Sequence, residues 1–191
     1  MSKAVLISIQ PKWSELIASG KKTVEVRKTK PKLETPFKCY IYCTNDFSNH
    51  ATKSRRNKFW IGEPINDMSK GRYIGNGKVT GEFVCDRIFP ISVYYDNPNC
   101  KLALKEFPYV CLTDKQIIDY LGNGKQGYGW HISDLKIYDK PKELGEFKKI
   151  NRDCWYADLG LAKRDCPECK NKECFMSRPP QSWCYVEELS V

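Results

Sequence analysis

Short apolar or alternating segments, separated by turn-forming residues, constrain the fold of this chain more than any other feature. Ala4–Ile9 is a predominantly apolar run of the kind found in fully buried strands. Thr23–Arg27 and Phe37–Cys43 alternate in polarity, as strands with one buried face do. Later strands are predicted through Phe83 and Cys85 to about Val93, over Trp130–Tyr138 and over Gln181–Glu188. Many short strands with two or three helices predict an α+β domain, built as a partly closed β-barrel.

Three segments carry helix signals. Pro11 suits the first turn of a helix that ends at Gly20. Thr113 and Gln116 have the spacing of a capping box, which predicts the start of a second helix. Pro141 predicts the start of a third and shorter helix. The helices therefore account for a minor part of the predicted domain.

A polar insertion at about residues 44–71 interrupts the strand pattern. Four cations of the insertion are followed closely by an aromatic residue. The predicted nucleic-acid-binding residues are these five: Lys53, Arg55, Arg56, Lys58 and Trp60. Such cations can bind phosphates while a ring stacks on a base. The alternative is a surface loop whose aromatic rings, Phe59 and Trp60, pack back onto the domain. Directly after the insertion, Asn76-Gly77 predicts a β-hairpin turn between Tyr73-Ile74 and Val79.

The charge balance points to an anionic partner. Thirty-two Lys and Arg residues stand against 23 Asp and Glu residues, which gives a formal net charge of +9. Such an excess favours nucleic acid or a phosphorylated ligand, although a basic surface can also serve solubility alone. No segment approaches the roughly 18 apolar residues of a membrane span, and the N-terminal apolar run is too short for a signal peptide. These features predict a cytoplasmic protein without a membrane partner.

The ten cysteines need an explanation in a reducing compartment. Cys166 and Cys169 flank a Pro-Glu turn that directs two thiolates at one centre, and Cys154 and Cys174 complete the four ligands that zinc prefers. A structural zinc knuckle is therefore predicted within residues 148–177, with a protein partner as one use for it. The alternative is four incidental thiols in a loop. Five other cysteines lie in apolar or alternating runs and are predicted to be plain core residues: Cys39, Cys43, Cys85, Cys111 and Cys184.

A second cluster combines a carboxylate with two cations. The alternation of Thr23–Arg27 directs Glu25 and Arg27 to one face, opposite Val24 and Val26, and Lys22 stands at the preceding corner. We expect Lys22 to lie at the mouth of a cleft and to contribute little to the core. Grouped in this way, the three charges can bind phosphate or activate a carbonyl and a water. The alternative is a solvated strand face with an ion pair.

The same residues carry a resemblance to a known family. Gly20, Lys22, Glu25 and Arg27 fill the Gly-x-Lys-x-x-Glu-x-Arg pattern of the ASCH domain, a member of the PUA-like superfamily. Residues 77–83 and 127–132 resemble its middle strand and the strand that closes its barrel. The chain is similar to ASCH proteins carried by phages and their bacterial hosts. The resemblance implies a PUA-like barrel over residues 1–147, followed by the Cys-rich appendage at 148–177 and a returning strand and tail at 178–191.

The resemblance also implies a function. ASCH domains have a cleft beside the first helix and a proposed role in binding RNA or a modified nucleoside. The ligand-binding residues would be Lys22, Glu25 and Arg27, with Trp130 and His131 from a strand expected to line the cleft. Binding of RNA or a modified nucleoside is therefore the first hypothesis.

Two alternatives remain at this stage. One small branch of the family hydrolyses 4-acetylcytidine, using a lysine, a threonine three residues later and a distant glutamate. Lys22 matches that lysine, but Glu25 occupies the threonine position. In a hydrolase, whether an amidohydrolase of acylated nucleosides or a ribonuclease, Lys22 and Glu25 would be the catalytic groups. The second alternative is an adaptor that recognises another protein through the zinc knuckle.

Overall fold

The computed structural model describes residues 2–45, 58–62, 73–92, 108–150 and 174–189. Within these residues the fold is α+β. The helices are α1 (Pro11–Ala18) and α2 (Asp114–Leu121), with single 3₁₀ turns at Pro108–Val110 and Leu144–Glu146. The strands are β1 (Lys3–Ile9), β2 (Val24–Arg27), β3 (Phe37–Cys43), β4 (Trp60–Ile61), β5 (Tyr73–Ile74), β6 (Lys78–Cys85), β7 (Ile88–Ser92), β8 (Gln126–His131), β9 (Ser133–Lys142) and β10 (Trp183–Glu187).

The two helices begin and end where their sequence signals indicate. Pro11 is the first residue of α1, and Gly20 follows the helix with a φ of 71°, a left-handed conformation that glycine adopts without strain. Thr113 caps α2, and its hydroxyl accepts a hydrogen bond from the Gln116 amide while the Gln116 side chain accepts one from Thr113. The capping box is therefore formed as predicted.

The strands of the described residues form three sheets. The largest has the order β10-β1-β3-β6-β9, in which β1 and β3 run parallel and the other neighbours are antiparallel. A three-stranded antiparallel sheet has the order β2-β8-β7, and β4 pairs with β5. The returning strand predicted near the C-terminus is β10, which lies along β1. The largest sheet is therefore mixed, and the two smaller ones are antiparallel.

Two pairs of strands connect the larger sheets. β6 and β9 pair in the five-stranded sheet, and their continuations, β7 and β8, pair in the three-stranded one. The chain passes between the sheets at Asp86-Arg87 and at Ile132. The long strands predicted through Phe83 and over Trp130–Tyr138 are each divided at these points. Because the ladders of the described residues do not join the sheets at their other edges, closure of the barrel remains a prediction.

The three-stranded sheet has apolar contacts on both faces. Val24, Val26 and Ile91 pack with Ile117 and Leu121 of α2 in one cluster. On the other face, Trp130 belongs to the main core together with strand residues of the five-stranded sheet and Ile17 of α1. In register, Glu25 lies opposite Trp130 and Arg27 opposite Tyr128, so these charged side chains share the inner face. β2 therefore carries two charges into the interior.

Two local predictions are wrong. Asn76 and Gly77 form a turn, but Tyr73-Ile74 pairs with Trp60-Ile61 and not with the strand that follows the turn. Pro141 lies inside β9 instead of opening a helix, and a single 3₁₀ turn follows it. In both cases a distant strand supplied pairing partners that the local sequence does not contain, and tertiary pairing overrode the local signal.

Of the predicted core cysteines, Cys39, Cys43 and Cys85 are buried, whereas Cys111 and Cys184 are partly exposed. Burial raises the pKa of the Cys85 thiol to about 12 and that of Cys43 to about 11, because an apolar interior disfavours the thiolate. Among the residues that the structure describes, every helix is too short or too polar to cross a lipid bilayer.

Candidate functional site

All four residues of β2 are buried, so the charged cluster does not lie on a solvated face. Glu25 is 7% exposed and Arg27 is 6% exposed, because the inner face of the three-stranded sheet is covered by β1 and α1. Charged groups this deeply buried are rare unless they are paired. The cluster therefore has to be satisfied by its own contacts.

Lys22 is the most deeply buried member of the cluster, with 2% exposure. Its ammonium group donates hydrogen bonds to the carbonyl oxygens of Val24 at 2.8 Å and Val110 at 2.6 Å. It also lies 3.4 Å from Glu25 Oε2 and 5.5 Å from the centroid of the Trp13 ring. The ammonium group therefore makes two hydrogen bonds to backbone carbonyls and an ion pair with the carboxylate. The expectation that Lys22 contributes little to the core is therefore wrong.

Arg27 holds the other side of the carboxylate. Its Nη2 lies 3.1 Å from Glu25 Oε1 and donates to the carbonyl oxygen of Ser8 at 2.5 Å. Its Nη1 donates to the hydroxyl of Ser182 at 3.4 Å. The Nε atom is buried and has no hydrogen-bond partner among the described residues. Glu25 is thus fixed between two cations that approach different oxygens.

A cavity of about 380 Å³ opens on this cluster. Its volume falls within the range of small-molecule sites. It is lined by residues from β1, α1, β2 and α2 and from the segments that adjoin α1, β3, α2 and β10: Ser8, Ile9, Gln10, Trp13, Lys22, Glu25, Val26, Arg27, Thr44, Leu112, Gln116, Tyr120 and Gln181. A buried carboxylate and two aromatic rings therefore face the same space.

Two exposed lysines lie over aromatic rings that line the cavity. The ammonium group of Lys12 lies 4.8 Å from the centroid of the Trp13 ring, and that of Lys28 lies 5.2 Å from the centroid of the Tyr120 ring. Cation–π contacts of this kind hold long side chains over a ring without removing their charge from water. Positive charge is therefore present at the cavity rim as well as inside it.

The comparison with family models agrees with the pattern of this site. The model of the ASCH domain matches residues 7–84, a range that contains α1 and β2 with Lys22, Glu25 and Arg27. The chain carries an ASCH domain.

The ASCH domain can also be set beside solved structures. ASCH from Zymomonas mobilis is 18% identical over 97% of this chain and 88% of its own, with a TM-score of 0.49. Two mutants of that protein have the same identity and TM-score, and cover 98% and 97% of this chain and 92% and 89% of their own. No curated protein matches the chain. The assignment of an ASCH domain rests on the match over residues 7–84.

Trp130 and His131, predicted to line the ASCH cleft, lie on opposite faces of β8. Trp130 faces inward and is fully buried in the core, in contact with Phe37 and Trp183 rather than with the cavity. His131 faces outward, and its Nδ1 lies 2.6 Å from the carboxylate of Asp86. Neither side chain lines the cavity. Adjacent strand residues point to opposite faces, so the sequence already carried this signal.

The remaining predicted site residues fall mostly outside the described part of the ASCH protein. Lys53, Arg55, Arg56, Cys154, Cys166 and Cys169 belong to this group. Within the described part, Lys58 is exposed, and its ammonium group lies 5.9 Å from the centroid of the Trp60 ring. Cys174 is buried, and its carbonyl oxygen accepts a hydrogen bond from the Lys149 amide. Nucleic-acid binding by the basic residues and zinc binding by the cysteines therefore remain predictions.

Sequence reasoning missed the far walls of the cavity. Tyr120 and Gln116 come from α2, and Gln181 comes from the segment before β10. That segment is fastened to β1, because the Ser8 amide donates to the Ser182 carbonyl at 2.9 Å and the Ser8 hydroxyl donates to the Pro180 carbonyl at 2.6 Å. The polar side of α2 was visible in the sequence, but nothing local indicated what it would face.

Proposed function

We propose that this ASCH domain binds RNA or a modified nucleoside, with one base inserted into the cavity beside Glu25. The observation that carries the proposal is the fixed, buried carboxylate of Glu25 in the wall of a 380 Å³ cavity. A carboxylate is an acceptor-only group that can bind the N–H donors of a base edge. Lys22 and Arg27 fix the position of the carboxylate before a ligand binds, which lowers the entropic cost of binding.

The charges and rings around the cavity favour a nucleotide over a neutral ligand. Lys22 and Arg27 together exceed the single charge of Glu25, so the buried cluster has a net positive charge. Trp13 and Tyr120 offer ring surfaces for stacking on a base. Lys12 and Lys28, which lie over these rings, are then placed to meet the phosphates that flank the base.

The same geometry favours binding over hydrolysis. A general acid or base needs a proton or a lone pair that can reach the reacting group. The ammonium group of Lys22 already donates to two backbone carbonyl oxygens and pairs with the Glu25 carboxylate. Glu25 also stands where the acetylcytidine-hydrolysing branch of the family has its threonine. Lys22 is therefore a positioning residue for Glu25 in this proposal.

Direct binding measurements test the proposal. Fluorescence anisotropy with a labelled single-stranded RNA, and calorimetry with single nucleosides, should show saturable binding to the wild-type protein. Glu25→Gln keeps the shape of the side chain and removes its charge, so it should weaken binding, and it should also lower the melting temperature because the buried Lys22 and Arg27 lose their counter-charge. Binding that is indifferent to Glu25→Gln would assign the cluster a purely structural role.

A further inference from the structure

The acceptor positions of Glu25 indicate which base edge the cavity selects. An ionised carboxylate offers about four lone-pair positions on its two oxygens. Arg27 approaches Oε1 at 3.1 Å and Lys22 approaches Oε2 at 3.4 Å. Among the contacts of the described residues, each oxygen is thus approached by one cation and keeps one acceptor position. A ligand with two adjacent donors can use both positions at once.

Given the proposed function, on which this inference rests, we propose that the cavity selects guanine by its Watson–Crick edge. Guanine carries two adjacent donors on that edge, the N1–H and the N2 amine. Adenine and cytosine carry one amine next to a ring acceptor, and uracil carries one N–H between two carbonyl groups. A carboxylate repels each of those acceptors, so selection comes from rejection as well as attraction.

The cavity also offers a donor for the remaining group on the guanine edge. The O6 carbonyl lies beside N1–H and accepts a hydrogen bond. Gln116 lines the cavity, and its Oε1 is the atom that accepts from the Thr113 amide. Its NH₂ group takes no part in that bond, so the capping box directs the donor end of the side chain away from Thr113. In the proposed pose, Glu25 accepts from N1–H and the N2 amine, and Gln116 donates to O6.

The test uses five-nucleotide RNAs of uridine in which the central base is guanine, hypoxanthine, adenine or cytosine, with a 5′ fluorescent label. Hypoxanthine is the matched control, because it differs from guanine only by the missing N2 amine. We expect the guanine RNA to bind wild-type protein about tenfold more tightly than the hypoxanthine RNA, the usual effect of one hydrogen bond to a charged group. Glu25→Gln should abolish the difference between these two RNAs.

The outcomes separate this inference from the proposed function. Equal binding of all four RNAs, weakened to the same degree by Glu25→Gln, overturns guanine selection and leaves base binding beside Glu25 intact. Tighter binding of adenine or cytosine than guanine overturns guanine selection as well. Failure of the wild-type protein to bind any of the RNAs overturns both. The wild-type comparison of guanine with hypoxanthine decides the matter even when a variant does not fold.

Discussion

Glu25 Oε1 lies 3.1 Å from Nη2 of Arg27, two residues along the same buried strand, and the same Nη2 donates to the carbonyl oxygen of Ser8. One guanidinium group therefore fixes the carboxylate and ties β2 to β1. Its Nη1 reaches the hydroxyl of Ser182, which precedes β10. The position of the carboxylate thus depends on three segments that are far apart in the sequence.

Glu25→Gln and Val24→Ala should differ in their effect on affinity, because the two residues occupy opposite faces of β2. Glu25→Gln should weaken RNA binding by about 1–3 kcal/mol, the scale of a hydrogen bond to a charged group. It should also lower the free energy of unfolding, because the buried Lys22 and Arg27 lose their counter-charge. Val24 is 1% exposed in the α2 cluster, so Val24→Ala should lower the free energy of unfolding by about 2 kcal/mol and spare affinity. Anisotropy titrations and urea unfolding measure both. A loss of affinity in Val24→Ala but not in Glu25→Gln would contradict the assignment of the faces.

Lys22→Met should destabilise the protein, in contrast to a change at an exposed lysine. The substitution keeps the length of the side chain but leaves the Val110 carbonyl and Glu25 Oε2 without a buried cation. Removing one member of a buried ion pair costs about 3 kcal/mol or more. Lys21→Met, at the exposed neighbouring position, is the matched control and should change stability by less than about 0.5 kcal/mol. Urea unfolding curves that coincide for the two variants would contradict the tight burial of Lys22.

Lys12 and Lys28 should contribute to the salt dependence of RNA binding. If both contact phosphates, the double variant Lys12→Ala/Lys28→Ala should reduce the slope of log K against log salt by about one unit per lost contact. Lys136→Ala/Lys140→Ala removes the same charge from exposed positions of β9 that do not line the cavity. Equal slopes for the two double variants would remove the rim lysines from the binding surface.

The zinc prediction has a stoichiometric test. Four thiolates from Cys154, Cys166, Cys169 and Cys174 should hold about one zinc per chain, measured by elemental analysis of the purified protein. Cys174→Ser should lower the metal content, while Cys111→Ser should not, because Cys111 lies in the segment before α2. Strong chelation should increase proteolysis within residues 148–177 and leave the ASCH domain folded. Metal-free wild-type protein in which residues 148–177 resist proteolysis would contradict the zinc prediction.

Alkaline pH should destabilise the protein through its buried thiols. The folded-state pKa is raised to about 12 for Cys85 and about 11 for Cys43, whereas an unfolded thiol titrates near 8.5. Stability from these groups is therefore complete below about pH 8.5 and is lost as pH rises toward the folded values. The free energy of unfolding, measured under reducing conditions from pH 8 to pH 10.5, should fall less steeply in Cys43→Val/Cys85→Val than in wild type. Parallel curves would contradict this contribution.

The sequence by itself determined the local elements of the site. Alternation over Thr23–Arg27 assigned Glu25 and Arg27 to one face of a strand, and Gly20 and the Thr113 capping box marked the ends of helices. These features depend on residues within a few positions of one another, where backbone geometry fixes the direction of each side chain. The ASCH pattern is carried by the same short segment.

Tertiary structure alone decided that both faces of β2 are buried and what closes the cavity. Pairing with β8 directs Glu25 inward, and the carbonyl oxygen of Val110 accepts a hydrogen bond from the buried ammonium group of Lys22. Tyr120 and Gln181 reach the cavity from segments that are distant in the sequence. No local pattern encodes such contacts, because periodicity states only which residues share a face. Long-range strand pairing and helix packing determine what that face meets.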